Sequence, residues 1–351
     1  MSDTVGAHND LHSERGAGPG EHPGRSRNPV IKVHDIAWLE FDKPDLIRAD
    51  AFALAFGFST VSRTPDELHL RGTDAGAPCV ILRRGARSRF VGAAFKAHDE
   101  ADVLRLAEAM GARTRALPEP LGGVAVDLVD PSGISVHVVA GTHDLAMLPS
   151  QSVHTFNFGH ELWRVNGTQR PPRVPTKVQR LGHLVLQTTK YIEALNWYLD
   201  NLGMIVSDFL FFPGQRERGP TMSFIRCDRG ATPADHHTLA IALGPSNRYV
   251  HSAYQVCDLD ALAAGGNTWR TAATTAHGAS AATSREARSS TTGAIPTASW
   301  SSTSVTATCS TPPWSQAGRR SPPRGWPNGD LPPARISSAP APNPFRTRRG
   351  Q

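Results

Sequence analysis

No stretch of the 351 residues approaches the run of about 18 apolar residues that a membrane-crossing helix needs. No membrane partner is expected on that ground. Cysteine is scarce, and Cys79, Cys227, Cys257 and Cys309 show neither a CxxC nor a paired spacing. That argues against a disulfide framework and for a reducing compartment, so a cytoplasmic location is expected. The opening stretch through Pro29 lacks the apolar segment of a secretory signal. Gly, Pro, His and charged residues dominate it, and residues 1–30 are expected to form a disordered tail.

The most telling shortage lies at the other end. Residues 267–351 contain no Lys, Tyr or Met, and their only Leu, Ile, Val or Phe residues are Ile295, Val305, Leu331, Ile336 and Phe345. Ten Arg stand against Glu286 and Asp330, a net charge of +8. The whole chain is +6, so residues 1–266 carry 6 − 8 = −2. The pI near 9.4 is thus a property of this tail. Its arginines are scattered rather than gathered on one element, and no nucleic-acid partner is expected.

Between these ends the text is ordered and repetitive. "IKVHDIAWLEF" reads as a strand, and "KPDLIRADAFALAFGF" as a helix with Leu46, Ala49, Phe52, Ala53 and Phe56 at helical spacing and Gly57 as its stop. "ELHLRG" and "PCVILRRG" read as strands. The order then recurs: "RFVGAAFKA" as a strand, "DEADVLRLAEAMGA" as a helix, and "GVAVDLVDPSGISVHVVAG" as two strands around a turn. Two such units over 31–141 make an internal repeat. A connector rich in Pro, Arg, Gly and Asn occupies 142–178.

A third unit opens at 179 with the strand "RLGHLVLQT". The helix "KYIEALNWYLDNLGM" follows, with Ile192, Leu195, Trp197, Tyr198 and Leu202 on its apolar side, then the strands "TMSFIRCD" and "HHTLAIAL". "RYVHSAYQV" and "DLDALAAGG" open a fourth unit whose remaining strands never arrive before the text changes near Asn267.

Two histidines, His183 and His251, sit near the starts of equivalent strands in this second half. The pair His236–His237 supplies another. Alternate strand residues face opposite sides, so only one of that pair can point where His183 points. Taken singly, each reads more readily as a structural strand histidine bonded to backbone than as a functional one. Their recurrence in repeated units favours a site.

Residues 31–266 resemble the two-domain type I extradiol ring-cleavage dioxygenases of the vicinal oxygen chelate superfamily. The carriers are "GHLVLQT…ALNWYLDNLGM", "DHHTLAIA" and "RYVHSAYQV". The resemblance implies an α+β fold of tandem βαβββ modules in two domains, 31–141 and 179–266. It also implies Fe(II) held by two histidines and a glutamate, which acts on a catechol-type substrate with O₂. On that basis His183 and His251 are expected metal ligands, and His236 the acid–base residue, preferred over His237 from the Thr238 register and the distance to His251. Phe209, Phe211 and Phe212 would either line an apolar pocket for the ring or simply pack the loop. The first domain, with Ile36 matched to His183 and His137 in the glutamate position, is expected to be metal-free. The family includes homo-oligomers.

The family's tyrosine and glutamate, in a motif like "DYWRDPDG…VEHF", are missing. A reading frame shifted by one base restores them. Each shifted codon joins the last base of one residue's codon to the first two of the next, and under that limit Thr291 to Ser304 can be read "DYWRDPDGFMVEHF". A frameshift at or just before Asn267 is inferred, which puts Thr292 in the tyrosine position and Ser302 in the glutamate position. The second domain is then incomplete. Its sheet should have an open edge, 267–351 should be a disordered tail, and iron binding should be weak or absent. A non-catalytic, small-molecule-binding remnant is the competing expectation.

Overall fold

A strand–helix–three-strand unit, repeated, builds the whole of the described fold. The computed structural model describes residues 21–265, apart from 153–154, 156, 158, 167–173 and 213–214, together with the backbone of 305–310. The first unit runs β1 (Asp35–Lys43), α1 (Leu46–Phe56), β2 (Ser59–Arg63), β3 (Glu67–Arg71) and β4 (Val80–Arg84). The second runs β5 (Arg89–Lys96), α2 (Glu100–Met110), β6 (Thr114–Ala116), β7 (Val124–Val129) and β8 (Ser135–Ala140). They join through β1 and β5 into one eight-stranded sheet, in the order β2-β3-β4-β1-β5-β8-β7-β6.

The helices begin and end where local chemistry dictates. The Asp45 carboxylate accepts from the Arg48 N–H at 3.0 Å and caps α1, and Asp99 caps α2 in the same way through the Asp102 N–H at 2.8 Å. Left-handed Gly57 and Gly111 close them.

The third unit is β9 (Arg180–Thr188), α3 (Tyr191–Leu202), β10 (Ile205–Leu210), β11 (Met222–Arg226) and β12 (Leu239–Leu243). Helix α3 buries Tyr191, Ala194, Leu195, Tyr198, Leu199 and Leu202. Ile192, expected on that face, is exposed instead. The face is rotated because the buried positions follow Tyr191 and Ala194 at helical spacing. Gly203, at φ +63°, ends the helix, and a Cβ there would collide with the Ile31 carbonyl oxygen.

β13 (Arg248–Val256) and a helical turn at 259–265, capped by Asp258 through the Ala261 N–H at 2.7 Å, open the fourth unit. The sheet order is β10-β11-β12-β9-β13-β14, where β14 is Val305–Ser310. The expected open edge beside β13 is therefore closed by a strand from the segment assigned to a structureless tail. Its direction matters. β8 runs parallel to β5, but β14 runs antiparallel to β13, with His251 opposite Ser310 and Val256 opposite Val305. It fills the place of the missing strand without repeating its geometry. The rest of 267–351 and residues 1–20, both expected to be disordered, lie outside the described residues.

Residues 21–30, also expected to belong to the N-terminal tail, follow a definite course. Arg25 bridges to Ile205, and the Val30 N–H donates to the Asp200 carbonyl at 2.8 Å. The inner faces of the two sheets share one core, in which Phe41 meets Tyr249 with ring centroids 5.3 Å apart and Phe58 meets Tyr254 at 4.8 Å. Polar ties cross the same boundary: the Tyr198 hydroxyl donates to Asp130 at 3.1 Å, and Asn247 Nδ2 donates to the Ser132 carbonyl at 2.7 Å. Among the described residues no helix is long and apolar enough to cross a membrane.

Candidate functional site

Strand alternation gives each sheet a core face and a cupped outer face. On β9, Leu184 and Leu186 enter the shared core, so His183 and Val185 face the other way. β13 sets His251 opposite Val185 and Ala253 opposite His183, so His251 and Ala253 join that face. The rings of His183 and His251 lie 5.6 Å apart, centroid to centroid.

The third histidine is His237. Its ring lies 4.1 Å from that of His183, tilted by 42°, and Phe224 backs it at 5.0 Å. The segment is fixed from three sides. Arg180 holds Asp235 at 2.8 Å, the Ser207 hydroxyl donates to the His236 carbonyl at 2.6 Å, and the Thr238 N–H donates to the Ile225 carbonyl at 2.8 Å. With Thr238 on the core side, His237 faces the cup. His236, the residue preferred from the sequence, turns away to Asp208, its Nε2 2.7 Å from Oδ2. With the Nε2 proton donated to Asp208, His236 Nδ1 accepts from His237 Nδ1–H at 3.2 Å. That leaves Nε2 of His237 as its acceptor atom.

Burial keeps this cluster uncharged. It pulls His183 down to about 3, helped by the positive charge His251 and His236 would carry, and His237 down to about 2, helped by His183 and His236. His251 is lowered by burial as well. Neutral imidazoles offer the lone pairs that metal ligation requires.

The internal repeat shows why this face and not the other holds a site. The bulges in β1–β5 and β9–β13 fall at the same places. The registers therefore match Trp38 to His183, Glu40 to Val185, Gly92 to His251, Ile81 to Ala240 and Arg83 to Ala242. Trp38, not Ile36, is the counterpart of His183, because the two strands keep one constant offset through the shared bulge; Ile36 matches Leu181. The first cup is filled. Trp38 is fully buried, its Nε1 donates to Glu40 at 2.9 Å, and Arg83 pairs with Glu40 and Glu67. Gly92 has no room for a side chain, since a Cβ would strike the Ser135 carbonyl. His137 contacts Asp127 at 2.6 Å. In the second cup small residues replace the large and charged ones, and the wall beside them carries Met222 and Phe224, which pair with Ala242 and Ala240.

Sequence reading missed Asp208 and Phe224. Alternation in "TMSFIRCD" marked Phe224 as facing opposite to Ile225, but "IVSDFL" gave no strand signal strong enough to place Asp208. Phe209 instead meets His22 at 5.7 Å, and Arg216 covers Phe211 at 4.6 Å, so these aromatics pack the strap and loop. Among the described residues no group of three or more His, Cys, Asp or Glu has the arrangement of a metal site. His183 and His251 suit a divalent cation. Among the described residues no carboxylate completes a set of two histidines and a carboxylate there.

No family model matches the chain. Metapyrocatechase 2 of Cupriavidus necator is 28% identical over 252 residues, which span 69% of this chain and 72% of that protein. Among solved structures, the Mn(II)-bound glyoxalase from Novosphingobium aromaticivorans matches with a TM-score of 0.52 at 23% identity, covering 69% of this chain and 71% of its own. Homoprotocatechuate 2,3-dioxygenase from Brevibacterium fuscum, in complex with 3,4-dihydroxyphenylacetate, matches with a TM-score of 0.54 at 17% identity, covering 70% and 72%. The fold is that of the vicinal oxygen chelate superfamily, α+β and built of tandem modules. Within that fold, the chain is similar in sequence to metapyrocatechase 2.

Proposed function

We propose that this chain has the architecture of an Fe(II)-dependent extradiol dioxygenase that cleaves a catechol-type ring with O₂, and that the chain as written binds iron weakly because its carboxylate ligand is missing. The observation that carries the first part is the convergence of His183, His251 and His237 on one face of the second sheet. His183 and His251 are the proposed ligands. His237 is the proposed acid–base residue, held through His236 by Asp208. Small and apolar neighbours, Val185, Ala240, Met222 and Phe224, suit a flat aromatic ring. The metapyrocatechase relative supports the reaction class.

The second part rests on the strand beside β13. In this fold's first sheet that place holds a parallel strand; here it holds an antiparallel one from beyond Asn267. A frameshift before Asn267, with Ser302 in the glutamate position, accounts for the change. Serine is no substitute for a carboxylate on a hard cation.

The test compares two chains: this one, and one whose sequence after Gly266 is rewritten in the shifted frame. Both are titrated anaerobically with Fe(II), then given catechol and O₂. Stoichiometric binding and ring cleavage are expected from the rewritten chain, with little of either from the present one. Tight Fe(II) binding by the present chain would overturn the missing-ligand reading. Binding without turnover by the rewritten chain would favour a small-molecule-binding protein over an enzyme.

A further inference from the structure

A cleft of about 290 Å³ lies where the strap formed by residues 21–33 crosses the third module, the β9–β12 unit. Arg25, Arg27 and Lys32 line it from the strap, and Met204, Ile205 and Asp228 from the module. Three cations thus meet one carboxylate. Lys32 Nζ contacts Asp228 Oδ2 at 2.6 Å, and Arg25 Nη2 reaches the same oxygen at 3.7 Å. Arg27 makes no ion pair among the described residues, so the cleft carries two positive charges in excess.

The C-terminus of α3 adjoins the cleft, and exposed carbonyls there would repel an anion. They are occupied. The N–H groups of Val30, Ile31 and Val33 donate to the carbonyls of Asp200, Asn201 and Leu202. Two guanidinium forks opposite an apolar floor suit a tetrahedral oxyanion with a small organic substituent.

We propose that this cleft binds a small dianion, inorganic phosphate or a phosphate monoester, and that the ligand clamps the N-terminal strap onto the third module. Arg25 and Arg27 come from the strap and the floor from the module, so binding stabilises the docked strap by mass action.

The experiment is thermal unfolding of the full chain in sodium phosphate or phenyl phosphate, each against sodium chloride at equal ionic strength. Wild type should show a saturable rise in Tm with both phosphates. Arg27→Gln, which breaks no ion pair among the described residues, should weaken the rise, and Arg25→Gln/Arg27→Gln should abolish it, with only a small fall of the Tm in chloride from loss of the exposed Arg25–Asp228 pair. Saturation at lower phenyl phosphate than phosphate assigns the site to a monoester, and equal saturation assigns it to free phosphate. A rise of the same size in the double variant is a general effect of an excluded anion and overturns the proposal, as does the absence of any rise in wild type.

Discussion

The ring of His237 lies 4.1 Å from that of His183, while its neighbour His236 reaches out to Asp208. The two adjacent histidines therefore have separable roles. Replacing His183 or His251 by Ala should abolish Co(II) binding to the chain rewritten in the shifted frame, read from the visible spectrum of the bound metal. His237→Ala should leave that affinity within about tenfold, the lower end of the effect of a supporting group. In the chain rewritten in the shifted frame, His237→Ala should lower ring cleavage by about 10²–10⁴-fold, the usual worth of a positioned acid–base group. A larger loss from His236→Ala than from His237→Ala would reverse the assignment.

Glu40 is buried between Trp38 and Arg83. Glu40→Ala leaves the buried indole N–H without its acceptor and the guanidinium with Glu67 alone, which should cost about 1–3 kcal/mol. Glu40→Gln keeps the indole acceptor and should cost less. Urea unfolding of both variants checks this, and equal losses would mean that Trp38 does not depend on the contact.

Gly203 combines a left-handed backbone with close packing against the Ile31 carbonyl. Gly203→Ala should destabilise by about 1–3 kcal/mol and should free the strap to early proteolysis. Gly111 also adopts φ +59°, but no atom crowds it. Gly111→Ala should lose only the conformational part, and a matching loss at both sites would show that packing at Gly203 contributes nothing.

Burial opposes ionisation of Asp228, but the Lys32 hydrogen bond, the Gly230 N–H and the charges of Lys32 and Arg25 outweigh it and hold the carboxyl below its ordinary range. Such a group stabilises the fold above its unfolded value of about 3.9, and that contribution is lost as pH falls through the lower folded value. Asp228→Asn should therefore be less stable at neutral pH, by under about 1 kcal/mol because Lys32 is half exposed. The gap should close as pH is lowered from about 4. Denaturant midpoints measured at several pH values test this; a gap unchanged at the acid end would assign the loss to packing.

Much of this arrangement was legible in the sequence. The repeat, the long strands β1, β5, β9 and β13 and the helices with glycine stops all carry strong local patterns. His183 and His251 stood out because their strands begin equivalent units. The choice within His236–His237 was not legible, since these residues precede β12 and their facing depends on how Asp235 is tied to Arg180 across the sheet. The match of Trp38 to His183 was not legible either, because a tryptophan and a histidine share no local pattern and only the registers with β5 and β13 set it. Short polar β2, "STVSR", resembles a loop until β3 supplies its partners.

The antiparallel β14 separates two requirements that a sheet normally meets together. Any extended segment can satisfy the backbone groups of an edge, and "VTATCS", half of it β-branched, is suited to doing so. Delivering a particular side chain to the cup requires a given direction and register as well. A chain can thus regain a paired edge while losing the instruction that the edge once carried. Assays of expression, folding or protease resistance would score such a protein as whole, and only a measurement at the metal would tell it apart.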